Sequence, residues 1–151
     1  MSPAGERISE SEDDTRRVGR DLAATLSPGD IVALSGSLGA GKTVFVRGLA
    51  EGLGLDPRQV HSPTFAMVTE YAGEGARLVH VDLYRIDRIA EIEDLGLDSL
   101  ISHGAVMAVE WAEKLPPRLL EGAVRVTLTD LGGEQRRLTI ERPAPQSTPS
   151  Q

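Results

Sequence analysis

No cysteine occurs among the 151 residues, so the chain has no disulfide, no thiolate metal site and no cysteine nucleophile. That usage fits a reducing compartment. Asparagine is also missing, which rules out the Asn-Lys-x-Asp motif that reads guanine. Lysine occurs only at Lys42 and Lys114, and aromatics make up 3% of the chain, so the core must come from Leu, Val, Ile and Ala. No run approaches the roughly 18–20 apolar residues of a membrane span. The opening MSPAGERISESEDD lacks the charged-then-apolar pattern of a secretory signal. The expectation is a cytoplasmic protein with no membrane association. Positive charge is in deficit: 16 basic against 23 acidic residues give −7, the opposite of the basic footprint of a domain that grips nucleic acid alone. Arg16, Arg17 and Arg20, and the pair Arg136 and Arg137, are the places where a local basic patch is conceivable.

The length suits one domain, read here as 1–142, followed by a Pro/Ser/Gln-rich tail over 143–151 expected to be disordered. Residues 1–8 read as a loose arm. Ser9 and Glu12 have capping-box spacing, and Val18, Leu22 and Leu26 form one apolar helical face. Pro28-Gly29-Asp30 breaks the chain. Ile31 to Leu34 reads as a buried strand, and Val46, Leu49, Ala50 and Leu53 as a helix stopped by Gly54. Residues 65–71 and 77–84 read as strands around a Gly73–Gly75 turn. Ile89, Ile92 and Leu95 suggest a short acidic helix. Ala105 to Val109 is a further apolar run, closed by Pro116-Pro117. Val124 to Leu128 and Arg137 to Ile140 read as a hairpin at the sheet edge.

Between the first strand and its helix lies GSLGAGKT, the pattern G-x-x-x-x-G-K-[ST] met by Gly36, Gly41, Lys42 and Thr43. Glycines let the backbone of Gly36, Ser37, Leu38, Gly39, Ala40 and Gly41 wrap a phosphate with its N–H groups turned inward. The helix start adds partial positive charge. Lys42 reaches β- and γ-phosphates, and the Thr43 hydroxyl suits Mg²⁺, a hard cation that prefers oxygen. A plain glycine turn has no need of the Lys-Thr pair, so nucleotide phosphate binding is the reading adopted.

Such a cradle needs a carboxylate near a strand end for the magnesium shell. Asp82 ends Leu78-Val79-His80-Val81, and Glu110 ends Val106-Met107-Ala108-Val109, where parallel sheets expose their binding edge. Glu110 either touches the metal or orients the attacking water; spacing does not divide those roles. Thr64 in Ser62-Pro63-Thr64 is a candidate γ-phosphate sensor or plain turn chemistry. His80 shares a strand face with Asp82 and is either a neighbour supporting the site or a satisfied core histidine. Trp111 is a packing anchor or a base stacker, and Arg85 a phosphate contact or a surface charge.

SLGAGKT, HSPTF, HVDLYRI and VEW, in that order, resemble the TsaE (YjeE) family of small bacterial P-loop ATPases that support tRNA threonylcarbamoyladenosine biosynthesis. The resemblance runs to about Pro117, with a fainter match in the last hairpin. It implies an α/β, P-loop NTPase-like three-layer fold with a mostly parallel sheet, antiparallel at the edge, and a Mg²⁺-dependent ATPase. It also implies docking onto TsaB and TsaD, which transfer the threonylcarbamoyl group to adenosine 37 of tRNA; ATP hydrolysis sustains turnover and tRNA is met only indirectly. Carried over by motif, Lys42, Thr64, Asp82 and Glu110 are the catalytic set. Thr43, Asp82 and Glu110 are the metal set. Residues 36–44, with Trp111 and Glu12, bind ATP or ADP, Glu12 lying where the family's N-terminal segment approaches the base. Ser37, Val44 and Ala66 depart from the family's frequent Asp, Thr and Thr or Ser; the hydroxyl missing at Val44 is worth on the order of 1 kcal/mol net. Two other readings compete: a stand-alone small-molecule or nucleotide kinase, for which no arginine-bearing lid follows Glu110, and a non-hydrolysing nucleotide-dependent binding module.

Overall fold

Ile31 to Leu34 and Val106 to Val109 are apolar at every position, so both faces of the strands they form must be covered. The computed structural model, which describes residues 5–36, 41–60, 68–73 and 75–143, meets this with a seven-stranded sheet between two helical layers. The strands are β1 (Gly5–Ser9), β2 (Ile31–Gly36), β3 (Val68–Gly73), β4 (Ala76–Asp82), β5 (Val106–Glu110), β6 (Val124–Gly132) and β7 (Gln135–Glu141), in the spatial order β1-β7-β6-β2-β5-β4-β3. The central β6-β2-β5-β4 are parallel; β7 and β1 on one side and β3 on the other are antiparallel.

Helices α1 (Glu12–Ala23) and α2 (Lys42–Gly52) cover one face, burying Leu22, Phe45 and Leu49 against Val32, Leu34, Ala108 and Val126. The shorter α3 (Ile89–Glu93), α4 (Leu97–Ser102) and α5 (Pro117–Glu121) cover the other, where Ile92, Leu97 and Leu119 meet Val79, Val81, Met107 and Val109. The odd and even residues of each central strand thus feed two separate cores.

Contact between α1 and α2 is backbone to backbone. A Cβ built on Gly48 would lie 2.0 Å from the Arg16 carbonyl oxygen, and one on Gly19 2.4 Å from that of Phe45. Arg20 and Arg16 flank the seam and reach Glu51 at 3.0 and 3.8 Å.

Several expectations change. The arm ending at Ile8 is in part β1, paired with β7 from Gly5↔Ile140 to Ser9↔Arg136; five residues of mixed polarity carry too weak a pattern to announce an edge strand. The capping residue is Ser11, whose hydroxyl accepts from Asp14 N–H at 3.1 Å, rather than Ser9, whose hydroxyl meets Thr15 and the Ser11 carbonyl, each at 2.7 Å. Leu26 lies beyond the helix and packs on the core from a turn. Pro116-Pro117 opens α5, because proline at the first helical position gives up an N–H that needs no partner. The last hairpin is interior: β6 pairs with β2, and β1 takes the edge. Helix α4 lacked a sequence expectation. The arginine clusters are countered by acids: Arg16 by Asp13 and Glu51, Arg17 by Asp14, Arg136 by Asp130 and Arg137 by Glu6. Of the tail, only Pro143 falls within the described residues.

The Gly48→Ala variant tests the helix seam. Despite a gain of about 1 kcal/mol in helix propensity, overpacking of about 1–3 kcal/mol or more should lower the urea midpoint. Gly122→Ala, with nothing within 4 Å of its Cβ and φ −92, should stay within about 0.5 kcal/mol of the parent. Equal midpoints for the parent and Gly48→Ala would contradict the close contact.

Candidate functional site

Strand β2 ends at Gly36, and α2 begins at Lys42 after Gly41, whose φ of 97 and ψ of 17 lie in the left-handed region that glycine tolerates. No side chain caps α2, so its first N–H groups face the loop without a capping partner from Gly41. Ser37, Leu38, Gly39 and Ala40 lie outside the described residues, as do Thr64 and Ala66.

Lys42 is 5% exposed. Its Nζ donates to the Gly36 carbonyl at 2.7 Å and lies 4.5 Å from the centroid of the Trp111 ring, a cation–π contact worth about 0.5–2 kcal/mol. Trp111 reaches that place because its backbone turns left-handed directly after β5, with φ 59 and ψ 42. A non-glycine residue there costs on the order of 1–3 kcal/mol and tends to persist where function needs it. The Trp111 ring also meets Tyr84 at 5.0 Å and 43°. Lys114 Nζ donates to the carbonyls of Tyr84 and Ile86, each at 2.8 Å, and so holds the turn after β4.

Register aligns the two acids. Asp82 of β4 is level with Glu110 of β5, and Glu110 is level with Leu34 of β2, two residues before Gly36. Glu110 is buried at 4% exposure, and its Oε2 lies 2.5 Å from Nε2 of His80, itself at 0%. His80 is therefore both a buried strand residue and a partner of Glu110, two readings that the sequence had kept apart. Asp82 is half-buried and accepts from Tyr84 N–H at 2.9 Å. Burial pushes its carboxyl above the ordinary value near 3.8 and the nearby Glu110 carboxylate adds to this, while the Tyr84 N–H, His80 and Lys42 pull the other way. An ionised Asp82 is thus under-compensated by protein, and a cation at the strand ends would relieve it. Among the described residues no three His, Cys, Asp or Glu side chains gather as a metal cage; Mg²⁺ commonly takes only one or two carboxylates alongside phosphates and water.

Glu12 at the start of α1 is exposed and lines a cavity of about 70 Å³ with Thr15, Gly41, Val44, Glu134 and Arg136. The structure so brings Glu12 and Val44 together beside the start of α2. Arg136 and Glu134 join them from the last hairpin, some ninety residues along the chain. Sequence spacing had no signal for that approach, nor for the two carbonyls held by Lys114. Thr43 sits in the first turn of α2, and Arg85 is exposed.

Fold and site together define a P-loop type α/β protein, with the glycine loop at the end of a central strand and two acids at the ends of neighbouring parallel strands. A family profile described as "Threonylcarbamoyl adenosine biosynthesis protein TsaE" matches residues 9–138. Among similar proteins is the tRNA threonylcarbamoyladenosine biosynthesis protein TsaE of Streptomyces coelicolor, 46% identical over 132 residues, covering 83% of this chain and 88% of that one. The protein of the same name from Bacillus subtilis is 39% identical over 128 residues, covering 85% and 79%. A crystal structure of Bacillus subtilis YdiB superposes with a TM-score of 0.71 at 30% identity, covering 92% of this chain and 85% of that one. The chain belongs to the TsaE family. No helix among the described residues is long and apolar enough to cross a membrane.

The Asp82 carboxyl gives a signed prediction. A folded-state value above the unfolded one means no penalty below the unfolded value, a growing penalty as pH rises between the two, and the full penalty above both. In the nucleotide-free and metal-free protein at pH 7, Asp82→Asn should therefore unfold at a higher temperature than the parent, and the gap should close below about pH 3.8. A thermal scan at both pH values decides it; an equal or lower Tm at pH 7 would refute the assignment.

Proposed function

We propose that the chain is a Mg²⁺-dependent ATPase of the cytoplasm that serves tRNA threonylcarbamoyladenosine biosynthesis. It cleaves ATP to ADP and phosphate slowly on its own and acts on a TsaB–TsaD pair, meeting tRNA only through those partners. The observation that carries the reading is the convergence of Lys42, Asp82 and Glu110 around the end of β2, where register brings the ends of β4 and β5 level. The pathway rests on the names of the relatives, which are tRNA threonylcarbamoyladenosine biosynthesis proteins.

The chain's own groups divide the chemistry. The open N–H groups at the start of α2 bind and orient phosphate oxygens. Lys42 holds a carbonyl and a ring face, so a phosphate can take its ammonium without stranding a buried carboxylate. Thr43 and Asp82 are the hard oxygen donors that suit Mg²⁺, which when bound neutralises phosphate charge. Glu110, the more buried acid, is the group to hold the attacking water and accept its proton. Trp111 and Glu12 flank the cradle on opposite sides, where an adenosine lies within reach of one or the other.

Three measurements test this. Lys42→Ala should remove measurable ATP binding. Glu110→Ala should keep binding while phosphate release falls by about 10²–10⁴-fold. Adding the cognate TsaB and TsaD should raise phosphate release and restore repeated rounds of tRNA modification. A Glu110→Ala protein with parental turnover would sink the catalytic role, and a reconstituted system indifferent to this chain would sink the pathway.

A further inference from the structure

On β4, Leu78, His80 and Asp82 face the α1–α2 layer, and on β5 Val106, Ala108 and Glu110 do the same, since Leu78, Val106 and Ala108 all belong to that core. The register sets His80 level with Ala108 and Asp82 level with Glu110. Ala108 offers only a methyl group where a longer side chain would fill the space beside the imidazole. The ring therefore reaches diagonally along the sheet and brings Nε2 to 2.5 Å from Glu110 Oε2. Both groups are removed from solvent, at 0% and 4% exposure.

The other imidazole nitrogen decides the direction of that bond. His80 Nδ1 is buried with no hydrogen-bond partner among the described residues. A proton there would be an unsatisfied buried donor, whereas a bare nitrogen is a weaker loss. The proton thus belongs on Nε2, which donates to Glu110. One carboxylate oxygen is engaged by His80, and the other is left to act at the strand ends.

We propose that His80 is a positioning residue for Glu110: its Nε2–H engages Oε2 and aims Oε1 at the nucleotide cradle. This rests on the ATPase reading. It adds that the aim of Glu110 is set from inside the sheet and not by the loop that carries the phosphate. Histidine suits the place because its ring fills apolar volume while its far nitrogen spans the diagonal; serine or threonine at position 80 would be too short.

The first readout needs neither nucleotide nor metal. Nitrogen NMR of the imidazole in the full-length protein should find Nε2 protonated and Nδ1 bare, with the signal identified by its loss in His80→Gln among three histidines. The reverse tautomer would overturn the proposal. The second compares variants by ATP Kd and by kcat for phosphate release. His80→Phe keeps the ring and loses the donor, so kcat should fall by about 10–100-fold with ATP Kd unchanged. His80→Gln places an amide N–H near the Nε2 position and should recover most of that loss. Parental kcat in His80→Phe, or equal losses in His80→Phe and His80→Gln, would refute the role. Should His80→Phe fail to fold, His80→Asn takes its place: its amide is one methylene too short, so Gln must outperform Asn, and equality refutes. A parent that releases no phosphate, alone or with partners, overturns the ATPase reading and this role with it. A parent that turns over beside an equally active His80→Phe overturns the role alone.

Discussion

The parallel register of β2, β5 and β4 is the constraint on which the site depends. Because Leu34 is level with Glu110 and Glu110 with Asp82, three strands end together, and whatever follows each strand meets the others. Parallel strands gather ligand-binding groups at their carboxyl ends for this reason. A slip of one residue in any pair would turn His80, Asp82 and Glu110 to the opposite face. The two separate cores forbid that slip, since each central strand is apolar on both sides.

Around those ends the protein tolerates several unfavourable local arrangements. Lys42, His80 and Glu110 are buried polar groups, Asp82 is partly buried without full compensation, and Trp111 holds a left-handed backbone. Each is met by a specific partner: the Gly36 carbonyl and the Trp111 ring for Lys42, His80 and Glu110 for each other, Tyr84 N–H for Asp82. Buried polar groups so matched hold a geometry more than they add stability. The scaffold behind them is correspondingly firm: α1 and α2 touch through Gly19 and Gly48 with no side chain between, so the helix that starts at Lys42 has little room to shift.

Much of this arrangement was legible in the chain. GSLGAGKT is a local motif whose glycines, lysine and threonine carry their own chemistry, and Val79 to Asp82 and Val106 to Glu110 are short apolar runs that end in an acid. Strand identity and strand end are local properties, fixed by apolar patterning. Less legible were short elements stabilised by partners: β1, whose pairing with β7 joins residues more than 125 apart, and α4, which is only six residues long. Ser9 and Glu12 have capping-box spacing, yet Ser11 caps; neighbouring serines are equivalent until the strand before them fixes where the helix can start.

The sequence by itself determined the phosphate loop, the strands that flank it and the two acids, because those depend on residue type and on spacing within a few positions. Only the tertiary structure decided who faces whom. It set His80 on Glu110, laid Trp111 beneath Lys42, tied Lys114 to the turn after Asp82, and carried Arg136 to the side of Gly41. Those pairings follow from strand order, register and one left-handed residue, which are properties of the whole packed sheet and leave no mark in local spacing.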